Sequence, residues 1–166
     1  MTRTKMKRRD FLRVTLAVGA AASLPVLRPH RASANKAAAW PAEGFDAETL
    51  TDAMKKTIGK SDVPLSPKVK LNVPKTAENG AVVPVTVEVD SPMTAADYIE
   101  TLYLYVDKNP RPLASEFHFT PASGKAYVQQ RLKMGGTSNV RAVAKTNKGQ
   151  LMAAAREVRI TISGCG

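Results

Sequence analysis

The sequence predicts a mainly β protein, a sandwich of about seven strands preceded by one N-terminal helix. Three observations lead there. From Pro67 onward apolar residues alternate with polar ones, the period of a half-buried strand. Pro, Gly and Asn punctuate these runs at short intervals, as turns require. Only one stretch, ahead of Pro67, carries the three-to-four-residue apolar spacing of a helix.

The elements follow in order. Asn35 to Gly44 is rich in alanine and reads as a loose segment. A helix is expected over about 46–58, with Asp46 as N-cap, Phe45 stapled onto Leu50, and Leu50, Ala53, Met54, Thr57 and Ile58 forming one stripe before Gly59 closes it. That stripe is expected to dock on the sheet. Strands are expected at Val69–Val73, Val83–Val89, Leu102–Val106, Phe117–Phe119, Ala126–Leu132, Val140–Lys145 and Leu151–Ile162. Turns fit Glu78-Asn79-Gly80, Lys108-Asn109-Pro110, Ser123-Gly124, Gly135-Gly136 (read as a hairpin) and Lys148-Gly149. Asn109-Pro110-Arg111-Pro112 must be loop or edge, because two prolines cannot donate to a ladder, and it is expected to join two central strands. Strands this short and this closely spaced favour an immunoglobulin-like β-sandwich.

The N-terminus reads as an export signal. Arg8-Arg9-Asp10-Phe11-Leu12-Arg13 precedes the apolar run Val14–Leu27 and the small-residue site Ala32-Ser33-Ala34, the pattern of the twin-arginine route for folded cargo. The apolar run contains Gly19 and Pro25 and is shorter than the roughly 20 residues that span a bilayer. Cleavage is expected after Ala34, with no membrane anchor afterwards. The whole chain carries a formal +11, but 8 of its 25 Lys and Arg precede residue 35, along with one acid. The mature chain keeps 17 basic and 13 acidic residues, a net +4, which removes most of the case for a nucleic-acid partner. A mild attraction for anions survives. The expected organisation is a signal peptide (1–34), an N-terminal segment holding the helix (35–66), the sandwich (67–162) and a flexible cysteine tail (163–166).

Chemistry narrows by elimination. Exported sandwiches that bind copper draw on two histidines and a cysteine, yet only His118 remains once His30 leaves with the signal. His118 lies between Phe117 and Phe119 and reads as an exposed or hydrogen-bonded strand residue. A serine nucleophile would lack a base, and no G-x-S-x-G turn is present. Asp97 and Glu100 read as solvated surface. No metal or other cofactor is expected.

The tail remains, Ile160-Thr161-Ile162-Ser163-Gly164-Cys165-Gly166, where an alternating strand runs into small residues around the one cysteine of the chain. Gly164 and Gly166 impose few backbone limits on it. A thiol near pKa 8.5 is only a few per cent ionised at neutral pH, yet it is a strong nucleophile. No Lys, Arg or His adjoins Cys165, so it reads as an attachment point acted on by other enzymes. From the residues alone, a covalent carrier and a non-catalytic assembly module using Cys165 for an intermolecular disulfide both stand. A stand-alone redox enzyme lacks a second cysteine or cofactor ligand.

The pattern resembles the SoxY family, the sulfur-substrate carriers of the bacterial thiosulfate-oxidising system. The resemblance rests on the twin-arginine signal, Thr76-Ala77-Glu78-Asn79-Gly80 with Val82-Val83-Pro84-Val85, the run Val106-Asp107-Lys108-Asn109-Pro110-Arg111-Pro112-Leu113-Ala114, Phe117-His118-Phe119, and the cysteine tail. It implies an immunoglobulin-like subunit paired with a SoxZ-like partner that is exported while bound. It also implies Cys165 as the attachment site for thiosulfonate or persulfide adducts, a haem-containing enzyme that loads it, and a hydrolase that releases sulfate. Ser163 stands where the family's Gly-Gly-Cys-Gly-Gly pattern has its first glycine.

Overall fold

The computed structural model describes residues 42–162. The helical region comes in two pieces, α1 (Ala42–Phe45) and α2 (Leu50–Ile58), rather than one helix starting at Asp46. Thr49 caps α2: its backbone is extended and its hydroxyl accepts the Asp52 N–H at 3.2 Å. Asp46 instead follows α1 and faces Arg111 at 3.9 Å. The pieces fold back closely enough that a Cβ on Gly44 would sit 2.6 Å from Thr57 Cγ2 and 3.1 Å from Leu113 Cδ2. Gly59 ends α2 at φ 72°, a conformation that costs glycine nothing.

Eight strands follow: β1 (Val69–Asn72), β2 (Thr76–Asn79), β3 (Val83–Val89), β4 (Ile99–Val106), β5 (Leu113–His118), β6 (Ala126–Leu132), β7 (Ser138–Thr146) and β8 (Leu151–Ile162). They form two sheets, in the orders β1-β3-β6 and β2-β8-β7-β4-β5. Every pairing is antiparallel except β2 with β8. The alternation read from the sequence is the packing observed. Val83, Val85, Val87 and Val89 of β3 meet Leu102, Leu104 and Val106 of β4 and Val140, Ala142 and Ala144 of β7 between the sheets. Pro84 is tolerated inside β3 because β1 pairs only as far as Thr86, leaving that end of β3 with a strand on one side.

The five-stranded sheet is covered on its outer face as well. Ala53 and Met54 of α2 pack on Tyr103, Tyr105, Val143 and Ala153, with Leu50 and Ile58 half-buried beside them, so the expected helical stripe is the docking face. This explains why β4 is buried along nearly its whole length instead of alternating. The Tyr105 hydroxyl lies 2.6 Å from Thr57 Oγ1. Burial pushes both the Tyr105 and the Tyr103 phenols above their usual value.

Three connections differ from the sequence reading. Glu78 and Asn79 belong to β2, and the turn begins at Gly80, with Asn79 Oδ1 accepting the Ala81 N–H at 2.8 Å. The 107–112 loop joins β4 to β5, which is an edge strand, not a second central one. Gly135-Gly136 carries the chain from β6 in one sheet to β7 in the other, so it is a crossing between layers and not a hairpin. The Lys148-Gly149 turn is a hairpin, closed by Gly149 N–H to Thr146 C=O at 2.9 Å.

Candidate functional site

Cys165, with Ser163, Gly164 and Gly166, lies outside the described residues. The strand that leads to it is fully placed. β8 pairs with β7 up to Ser138 opposite Val158. Beyond that point β2 takes over on the other side, with Thr76, Ala77 and Asn79 opposite Arg159, Ile160 and Ile162. The Arg159 N–H donates to Lys75 C=O at 3.0 Å, and Thr161 Oγ1 donates to Glu78 C=O at 3.4 Å. On the β7 side, where the ladder has ended, the Ile160 N–H donates to the Thr137 hydroxyl at 3.0 Å. Ile162 is therefore a fixed point, and Cys165 lies three residues on, about 10 Å at full extension.

Three loops gather at this end of the sandwich and are bonded to one another. The Asn109 amide donates to Lys133 C=O at 2.8 Å and its Oδ1 accepts the Gly135 N–H at 3.0 Å, tying the 107–112 loop to the β6–β7 crossing. The Met134 N–H donates to Gly80 C=O at 2.7 Å, tying the crossing to the turn after β2. Asp107 anchors the first loop: Arg141 donates to it through Nε at 3.3 Å and Nη2 at 3.1 Å, and both side chains are largely buried. Arg141 takes up the Asp107 charge, while Lys108 and Lys133 are exposed and in no ion pair among the described residues.

His118 lies elsewhere. It pairs with Thr101, which lies opposite Lys145 and, through it, level with Leu151 at the start of β8, whereas the tail follows Ile162 at the other end of that strand. Its side chain is 69% exposed, with Nε2 3.1 Å from Glu116 Oε1 and Nδ1 3.4 Å from Thr101 Oγ1. That is the hydrogen-bonded surface residue the sequence reading described. The other Glu116 oxygen, Oε2, is buried and has no hydrogen-bond partner among the described residues. Asp97 and Glu100 are half-exposed and paired with Lys148 and Lys145. Among the described residues no three His, Cys, Asp or Glu side chains group as metal ligands, and no helix is long and apolar enough to cross a membrane.

Sequence reasoning singled out the 109–112 loop and the Gly135-Gly136 pair but not what joins them to the tail. Thr137 and Asn109 do that work. The available signal was a hydroxyl residue directly after the glycine pair and an asparagine directly before a proline.

Comparison with known proteins agrees with this architecture. The family described as Sulfur oxidation protein SoxY matches residues 54–165, a span that includes Cys165. The twin-arginine translocation signal matches residues 5–25, which directs the chain out of the cytoplasm to the periplasm. The structure of the sulfur carrier protein SoxY from Chlorobium limicola f thiosulfatophilum is 32% identical, with a TM-score of 0.56, covering 69% of this chain and 97% of that one. Superoxide reductase (Neelaredoxin) from Ignicoccus hospitalis shares the fold alone, at 23% identity and a TM-score of 0.51 over 56% of this chain and 80% of its own. No curated protein matches the sequence. With two thirds of its length inside the family match and a sulfur carrier of the same fold at this identity, the chain belongs to the SoxY family, as an exported sulfur carrier of sulfur oxidation.

Proposed function

We propose that Cys165 is the attachment site, carrying thiosulfate-derived intermediates of sulfur oxidation while residues 67–162 present it to partner enzymes. Removal of residues 1–34 leaves the mature carrier, and residues 163–166 act as its flexible arm, with Gly164 and Gly166 giving the thiol access to enclosed active sites. The observation that carries this reading is the placement of β8: a strand held on both sides as far as Ile160, and by β2 as far as Ile162, leads to the one cysteine of the chain.

The chemistry is compatible with a thiol that this chain does not itself activate. A haem-containing partner enzyme joins the Cys165 sulfur to the outer sulfur of thiosulfate. The thiol proton is released and two electrons pass to the enzyme, leaving a Cys–S–S–SO3⁻ adduct. A hydrolase then adds water across the terminal S–S bond, releasing sulfate and a proton and leaving the persulfide. The carrier is substrate and product in turn, not an enzyme. The mature chain works as a heterodimer with a SoxZ-like subunit that travels with it, which accounts for use of a route for folded cargo.

Replacing Cys165 by Ser tests this against a purely structural disulfide. The expected outcome is intact pairing with the SoxZ-like subunit and loss of thiosulfate oxidation, with adduct masses confined to the C-terminal peptide of the native protein. A C-terminal peptide that stays unmodified in cells actively oxidising thiosulfate would overturn it. Loss of a covalent dimer with undiminished oxidation would favour the assembly role instead.

A further inference from the structure

We infer that Thr137 is a positioning residue that fixes the root of the cysteine-bearing segment and so sets the length of the arm; this rests on Cys165 being the attachment site. Along β7 and β8 the paired residues run from Lys145 opposite Leu151 to Ser138 opposite Val158, and continuing that register would set Gly136 opposite Ile160. Gly136 has already left the ladder, because the chain there crosses to β6 in the other sheet. The Ile160 N–H would be left without a strand to receive it.

The Thr137 hydroxyl supplies the missing rung at 3.0 Å. A side-chain oxygen thus replaces a backbone carbonyl and carries the two-sided ladder one step closer to Cys165. The acceptor is itself held. Gly135 is bonded to Asn109, Met134 to Gly80, and Ser138 Oγ accepts the Lys108 N–H at 2.9 Å, so Thr137 sits on a braced crossing between residues tied on both sides. β2 grips the opposite edge of the same three residues. Without the hydroxyl, Ile160 would join Thr161 and Ile162 in being held by β2 alone.

With β2 as their one remaining hold, these residues detach more often, and while they are detached the arm runs about six residues instead of about three. Effective concentration falls as roughly the −3/2 power of tether length, so delivery to a docked active site would drop by up to about threefold. Docking itself uses the folded body and is unaffected. The signature is therefore a lower kcat at constant KM.

The test uses the mature chain in its complex with the SoxZ-like subunit. Thr137→Val and Thr137→Ala remove the hydroxyl at an exposed position. Both are expected to speed amide exchange at Ile160 by roughly five- to tenfold, the scale of one hydrogen bond. Both should also lower kcat for loading by the haem-containing enzyme while KM stays constant. Thr137→Ser, which keeps the hydroxyl, should restore both. Unchanged exchange at Ile160 would overturn the inference, as would faster exchange with wild-type kcat. Failure of the underlying reading looks different: a Cys165→Ser protein that still supports turnover would refute the attachment site while leaving the Ile160 exchange result intact.

Discussion

Asp107 and Arg141 meet across 34 positions of sequence, and the pair shows what a single residue contributes at the tail end of the molecule. Their side chains are only 13% and 19% exposed, so removing one strands the other's charge away from water. Asp107→Ala is expected to cost about 3 kcal/mol, read as a lower urea midpoint at constant slope. No local pattern marks this pair, since neither residue differs from an ordinary surface charge until the fold brings β4 and β7 together. The same holds for Asn109 and Thr137, whose partners lie 24 and 23 positions away. His118 was legible, because an imidazole flanked by two phenylalanines on an alternating strand must point away from the core. Cys165 was legible as a candidate from its neighbours and its uniqueness, properties that need no tertiary structure.

At the scale of elements, the strands whose apolar residues alternate were legible and the strand without alternation was not. β2, Thr76-Ala77-Glu78-Asn79, buries only Ala77 and is held by parallel pairing to β8, a partner some 83 residues distant that local sequence does not reveal. The start of α2 shifted because Asp46 and Thr49 are both good caps, and the choice fell to the close approach of α1 at Gly44. The α2–β4 contact also has a pH consequence. In the unfolded chain a tyrosine ionises near 10, while burial under α2 keeps the protons on Tyr103 and Tyr105 to higher pH. Above pH 10 the unfolded chain therefore binds fewer protons than the folded one, and stability falls as pH rises. Unfolding titrations are expected to be insensitive to these tyrosines below about pH 9 and to weaken beyond pH 10. Tyr105→Phe should cost about 1 kcal/mol at neutral pH through the lost Thr57 bond and should make the alkaline decline shallower.

For the whole molecule, the decisive feature is where β8 sits. It is the last described strand in the chain but not an edge, since it lies between β2 and β7. A chain ended before Leu151 would leave β2 with no partner and β7 paired on one side only. Such a truncation is expected to show no cooperative thermal transition and to be digested rapidly by protease. The sandwich class was readable because its core is written in period-two alternation, whereas sheet order depends on pairings between remote segments.

The central lodging of β8 links manufacture to purpose. A twin-arginine translocase passes cargo that has already folded, and this fold cannot close until its last strand has been synthesised and threaded between its neighbours. Inspection before transport thus doubles as proofreading for the C-terminal strand: a molecule lacking β8 also lacks the shape that is let through.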